Sequence, residues 1–226
     1  MHRSYFKICV AGMVAAWFAH ETAKAQALHF GIKGGVPLTD AVDASYGNRG
    51  AAKRYTLGPS IEIGLRSSFG VEVSGLYRRT GYNTSENFFG QTLLRRVSAN
   101  SWEFPFLAKY YLSPWFASRR PYVSGGYSLR YVSHVQEFVH SFGRDFLTGE
   151  PFDRTYTLNG RFLLRDNPGH GATVGGGILF TTGQFRIAAE IRYTRWHGFA
   201  FSEIGSRGFF VQSAQNQVDF LLTLSF

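Results

Sequence analysis

Over most of the chain, apolar and polar residues take turns with a period of two, in segments of about ten residues. Leu28, Phe30 and Ile32 alternate with His29, Gly31 and Lys33. The same rhythm runs through Tyr55 to Arg66, Phe69 to Arg78, Ser101 to Tyr110 and Val123 to Tyr131. It returns in Ala172 to Phe180, Phe185 to Thr194 and Asn216 to Phe226. Period two places one set of side chains on each face of a strand, so these eight segments predict eight strands. No stretch beyond the N-terminal region approaches the ~18 consecutive apolar residues of a membrane helix.

The connections also alternate. Ser67–Ser68 and segments 112–120 and 181–184 are short, whereas 37–54, 80–97, 133–168 and 197–214 are long. A transmembrane up-and-down barrel has short periplasmic turns and long outer loops, and with both termini periplasmic the count closes at eight. The expected fold is all-β, a transmembrane antiparallel up-and-down barrel of eight strands. Residues 154–164 alternate weakly and are read, with 134–142, as strand extensions above the membrane; a ten-stranded barrel is the alternative. Pro105 falls inside the fourth segment and removes a ladder donor, which predicts a bulge there.

Nearly all strand charges share the polar face. A Lys or Arg facing lipid at the midplane costs about 2–4 kcal/mol, so the apolar face must point outward and the charges into the lumen. Tyr55, Tyr77, Trp102, Tyr110, Tyr122, Tyr131, Tyr193 and Trp196 sit near strand ends, where interfacial aromatic girdles belong. Lys33, Glu62, Glu103, Glu190, Arg192 and Asp219 lie on polar faces near mid-strand and form an expected lumen charge network. Closing the barrel makes the first, seventh and eighth strands neighbours. Lys33 and Arg192 are then expected to flank Asp219, with Glu190 nearby, because buried charges persist only when paired.

The N-terminus reads differently. Arg3 and Lys7 precede a short apolar run, Ile8 to Ala19, and Ala23-Lys24-Ala25 follows as a cleavage pattern. Residues 1–25 are expected to be a secretory signal peptide and 26–226 one barrel domain. Cys9, the chain's one cysteine, lies in that signal, so the mature chain has no disulfide and no cysteine metal site. The signal carries a net +2, which leaves +7 of the chain's +9.

The mature chain resembles the small outer-membrane β-barrel proteins of the OmpA/OmpX kind, often labelled porin-family or β-barrel-domain proteins. The resemblance rests on Phe30-Gly31-Ile32-Lys33-Gly34-Gly35, on Ser101-Trp102-Glu103-Phe104-Pro105-Phe106-Leu107-Ala108-Lys109-Tyr110 and on Pro121-Tyr122-Val123-Ser124-Gly125-Gly126. The last strand, ending in Phe226, is similar to the C-terminal assembly signal of that class. The resemblance implies residence in the outer membrane and recognition of Phe226 by the outer-membrane insertion machinery. It implies no enzyme and no cofactor by itself.

A search for chemistry is mostly negative. The H-x-S pair of barrel lipid A deacylases is absent at His134, His140, His170 and His197, and the D-x-D and D-x-H pairs of barrel proteases do not occur. His134 and His140 are two imidazoles without a third ligand, which is weak evidence for a metal. Gly175-Gly176-Gly177 lacks the Lys-Ser/Thr of a phosphate loop. No catalytic residue, cofactor or metal is assigned. The positive charge suits an anionic lipopolysaccharide leaflet better than nucleic acid.

Two function classes follow. One is a plugged, non-enzymatic barrel whose loops serve envelope structure or interaction, acting as a monomer, since eight strands leave room only for side chains. The other is a narrow channel for small solutes. Lys53, Arg54, Arg79, Arg95 and Arg96 lie at the outer ends of three neighbouring strands and form a candidate rim for lipopolysaccharide phosphates, with solvated charge as the plainer reading. Arg78 is expected to point inward instead.

Overall fold

The computed structural model describes residues 28–40, 42–44, 49–50, 55–66, 68–88, 90–112, 118–145, 148–160, 164–200, 202–204 and 210–226. The expected signal segment 1–25 lies outside them, as do Lys53 and Arg54. In chain order the strands are β1 (Leu28–Pro37), β2 (Val42–Ala44), β3 (Arg49–Gly50), β4 (Thr56–Arg66) and β5 (Phe69–Ser74). Then come β6 (Leu76–Phe88), β7 (Gln91–Tyr111), β8 (Arg119–Arg144), β9 (Pro151–Asn159) and β10 (Gly169–Thr182). β11 (Phe185–His197), β12 (Ser202–Ile204), β13 (Phe210–Ser213) and β14 (Asn216–Ser225) complete the chain.

Eight wall strands close into a ring, because β5 and β6 are one strand interrupted at Gly75. The order is β1, β4, β5/β6, β7, β8, β10, β11, β14 and back to β1, with every pairing antiparallel. The closing ladder runs from Gly31↔Ser225 to Pro37↔Asp219. Closure leaves the wall no edge, the condition for crossing a bilayer with strands. β2, β12 and β13 form a separate three-stranded sheet.

The eight-stranded reading holds over the ten-stranded one, and the register shows why. β9 pairs with the far end of β8, from Gln136↔Asn159 to Arg144↔Pro151, and among the described residues joins no other strand. β10 takes over the near end of β8 from Gly169↔Arg130 to Phe180↔Arg119. The hairpin of β6 and β7 likewise continues past the ring, to Phe88↔Gln91. The weak alternation of 134–142 has a physical cause. The β7–β8 register shifts between Ser98 and Asn100, where Asn100 pairs with Ser133 and Ser98 with Gln136. His134 adopts φ 51° there, so one extra residue reverses the in–out parity.

No bulge forms at Pro105. The β8 ladder runs through Pro105↔Ser128 without a shift. On the other side, pairs stop at Val73↔Phe106 and resume in the same register at Leu76↔Glu103. The missing donor thus falls where Gly75 separates β5 from β6. Gly75 turns its N–H to the Pro59 carbonyl at 3.0 Å. Gly58 packs so close that a Cβ there would lie 1.8 Å from the Gly75 oxygen.

The outer face is an apolar belt. Ile32, Ile63, Val73, Phe106, Tyr127, Val174, Ile191 and Leu222 are all exposed, Ile32 by 63%. Tyr77, Trp102 and Tyr131 lie in one row across three adjacent strands, and Phe69, Tyr110 and Val123 in another. Eight residues separate Trp102 from Tyr110, about 26 Å along a strand and ~20 Å along the normal at a typical tilt. Tyr122 and Trp196 leave the expected girdle: at 2% and 1% exposure they point into the lumen. Parity decides this, since their neighbours Pro121, Val123, Arg195 and His197 face out.

Candidate functional site

The lumen is filled by two clusters of charge. In the periplasmic half, Lys33 on β1 bridges Glu72 on β5 and reaches Glu190 on β11 at 3.0 Å. Arg192 binds Glu190 at 2.8 Å and Glu72 at 3.2 Å. Lys109 bridges Glu72 and Glu62, the latter at 2.7 Å, and Arg186 holds Glu62 at 2.8 Å. Tyr111 and Tyr122 donate hydroxyl hydrogen bonds to Glu62 and Glu190 at 2.6 and 3.2 Å. These bonds cross the bore rather than follow one ladder. Lys33 is 0% exposed, and Leu107 and Leu221 are buried beside the cluster.

The outer cluster is smaller. Arg78 binds Asp219 at 2.7 Å and lies 3.6 Å from Glu103. Gln217 donates to Asp219 at 2.7 Å and to Glu103 at 3.0 Å, and accepts the Trp196 indole N–H at 2.9 Å. Arg130 stacks on the Trp196 ring with its guanidinium 4.2 Å from the centroid.

All six lumen residues singled out in the sequence therefore face inward, in two groups. Lys33, Glu62, Glu190 and Arg192 share the first; Glu103 and Asp219 share the second. Asp219 pairs with Arg78, not with Lys33 or Arg192. Arg192 and Asp219 are directly opposite in the β11–β14 ladder, yet Arg192 extends to Glu190 and Glu72 instead. Glu72, Lys109, Arg186 and Gln217 lie on the polar faces that the sequence turned inward but were not singled out for the network, and Tyr111 and Tyr122 were missed. Their inward parity was the available signal.

The three described members of the candidate rim, Arg79, Arg95 and Arg96, do not assemble as one group. Arg95 turns inward and binds Glu137 at 2.7 Å. Arg79 and Arg96 are exposed on the outer face. In the β6–β7 ladder Arg79 pairs with Asn100 and Arg96 with Asn83, four positions apart or about 13 Å. Phe226 is 67% exposed at the end of β14, and its backbone exchanges hydrogen bonds with Phe30 at 3.0 and 3.1 Å.

Among the described residues no group of three or more His, Cys, Asp or Glu could hold a metal ion. His140 pairs with Asp153 at 2.9 Å, and His134 hydrogen bonds Ser133 at 3.3 Å.

A closed antiparallel ring with an apolar exterior and charged interior defines a membrane-spanning β-barrel. The family model for the outer membrane protein beta-barrel domain matches residues 19–200, and the chain belongs to that family, whose place is the cell outer membrane. The match stops before β14, the strand that closes the ring. Neisserial surface protein A is a structural neighbour at 12% identity and a TM-score of 0.36, covering 88% of this chain and 96% of that one. The N-terminal barrel of Pseudomonas aeruginosa OprF is another, at 13% and 0.33, covering 89% and 98%. The Yersinia pestis attachment invasion locus protein Ail, crystallised with the heparin analogue sucrose octasulfate, matches at 11% and 0.36, covering 88% and 99%. No curated protein matches the sequence.

Proposed function

We propose that this outer-membrane barrel is a closed, non-enzymatic wall that carries a rigid sheet beyond the membrane for envelope structure or interaction. The supporting observation is the Lys33–Glu72–Arg192–Glu190 cluster, which ties β1, β5 and β11 together across the bore. A solute channel would have to break these bridges and displace Leu107 and Leu221. Among the described residues Glu62, Glu72, Glu103, Glu190 and Asp219 are engaged by Lys, Arg or Gln, which supports the non-enzymatic reading. The far ends of β6, β7, β8 and β9 form the projecting sheet, with Tyr156 and Leu158 exposed on β9. The ring closes within one chain, which suits a monomer.

Planar-bilayer recording of the refolded protein tests this reading. Wild type is expected to give no stable ion channel, whereas Lys33→Ala combined with Glu190→Ala should produce brief openings. A steady wild-type conductance of porin size would replace the closed barrel with the narrow solute channel.

The apolar belt makes lipid its partner, and lipopolysaccharide phosphates are proposed to meet Arg79 and Arg96. Lys53 and Arg54 remain part of that proposal from sequence alone. Because Arg95 is committed to Glu137, it should be dispensable for lipopolysaccharide. Arg79→Gln with Arg96→Gln should reduce co-purified lipopolysaccharide and lower melting temperature in lipopolysaccharide bilayers but not in neutral detergent. Equal losses in both media would assign these residues to folding instead.

A further inference from the structure

Above the Arg78–Asp219 pair the lumen opens into a pocket whose polar lining includes Arg78, Thr80, Ser101, Arg130 and the carboxylates Glu103 and Asp40. Four buried polar atoms on its lining residues have no hydrogen-bond partner: Arg130 Nε, Arg78 Nε, Thr80 Oγ1 and Ser101 Oγ. Single unpartnered atoms occur elsewhere on the inner face, as at Ser124 Oγ, Glu137 Oε2 and Thr223 Oγ1, but here four fall on residues around one space. Buried donors left without partners are costly, and such a convergence is what a ligand would satisfy.

Arg130 is the centre of this arrangement. It is 9% exposed and, among the described residues, has no carboxylate within ion-pair distance. Its guanidinium lies over Trp196, and Trp196 is itself fixed through Gln217. Stacking occupies the face of the fork and leaves its in-plane N–H groups for a bidentate acceptor. Glu103 and Asp219 do not fill that role, because Arg78 and Gln217 hold them. The charge balance agrees. Among the described residues the inner face holds eight cations (Lys33, Arg78, Arg95, Lys109, Arg120, Arg130, Arg186, Arg192) against six carboxylates (Glu62, Glu72, Glu103, Glu137, Glu190, Asp219), and Asp40 lines the pocket as a further carboxylate.

We propose that this outer vestibule binds a small solute through an oxyanion, a carboxylate or a phosphate. Arg130 grips it bidentately, and the Ser101 and Thr80 hydroxyls donate to it. The site lies above the closed bore, so binding requires no passage through the barrel. It is a receptor-like pocket rather than a channel constriction.

The Trp196 indole N–H resonance, assigned with Trp196→Phe, reports on the site. The refolded full barrel in neutral detergent is titrated with inorganic phosphate, glucuronate or glucose at constant ionic strength set with chloride. Phosphate, glucuronate or both are expected to shift the resonance saturably, and glucose is not. Saturation by phosphate alone assigns a phosphoryl ligand, and by glucuronate alone a carboxylate. Arg130→Gln should weaken binding about tenfold or more, and Arg130→Lys should fall between, since it keeps the charge but loses the fork. If Arg130→Gln fails to fold, judged by gel mobility, Ser101→Ala and Thr80→Val carry the comparison. No saturable shift with either anion, or unchanged affinity in the folded variants, overturns the proposal. Bilayer conductance stays independent of this result, so the closed-barrel reading stands or falls separately.

Discussion

Glu72→Gln should destabilise the refolded barrel by about 3–5 kcal/mol, the usual cost of stripping one partner from a buried ion pair. Glu72 is 1% exposed and stands between Lys33, Lys109 and Arg192, with Ser74 donating to the same carboxylate at 2.9 Å. An amide is nearly isosteric but cannot neutralise three cations. The cost follows from the charges left behind, not from lost packing. Glu62→Gln should cost less, because Glu62 is less deeply buried and Lys109, one of its two cations, keeps Glu72. Urea unfolding in phospholipid vesicles gives both numbers by linear extrapolation. A loss below about 1 kcal/mol for Glu72→Gln would mean that water, and not the protein, solvates this cluster.

Phe226→Ala is expected to cut the amount of protein in the outer membrane several-fold while export across the inner membrane continues. Two features meet in this residue. Its ring is an exposed apolar tip that an assembly receptor can read, and its backbone seals the last pair of the β1–β14 seam against Phe30. The alanine variant keeps the seam bonds and removes the ring. Deleting Phe226 removes both. If the alanine variant reaches the outer membrane at the wild-type level but the deletion does not, the seam rather than the ring carries the signal. Fractionation with quantitative blotting separates these outcomes.

The wall of the barrel was readable from alternation because lipid and lumen impose opposite demands on successive residues. Parity placed Lys33, Glu62 and Glu190 inward with no knowledge of register. The same parity, counted residue by residue, would have moved Tyr122 and Trp196 out of the girdle; position near a strand end alone does not distinguish the two faces. What alternation lacks is any measure across the bore. Ladder adjacency brings Arg192 beside Asp219, but long side chains span a small lumen and choose among every carboxylate at their own height. Those heights depend on strand tilt and stagger, which no local pattern records. The bulge at His134 was hidden for a related reason. One residue in a left-handed conformation breaks the rhythm without any glycine to mark it. Pro105 drew attention to the wrong place, since the partner strand absorbed its missing donor at Gly75.

The distances along the chain between the partners of Lys33 bear on how this protein is made. Glu72 follows Lys33 by 39 residues and Glu190 by 157. A chain delivered N-terminus first holds Lys33 ready long before its second carboxylate arrives. Until then the ammonium needs water, and a sheet carrying it cannot dry out on its inner side. Half-built intermediates are therefore expected to keep water on this inner side until β11 supplies Glu190. On that expectation the interior charges would distinguish a whole chain, which can shed its water, from a partial one, which cannot.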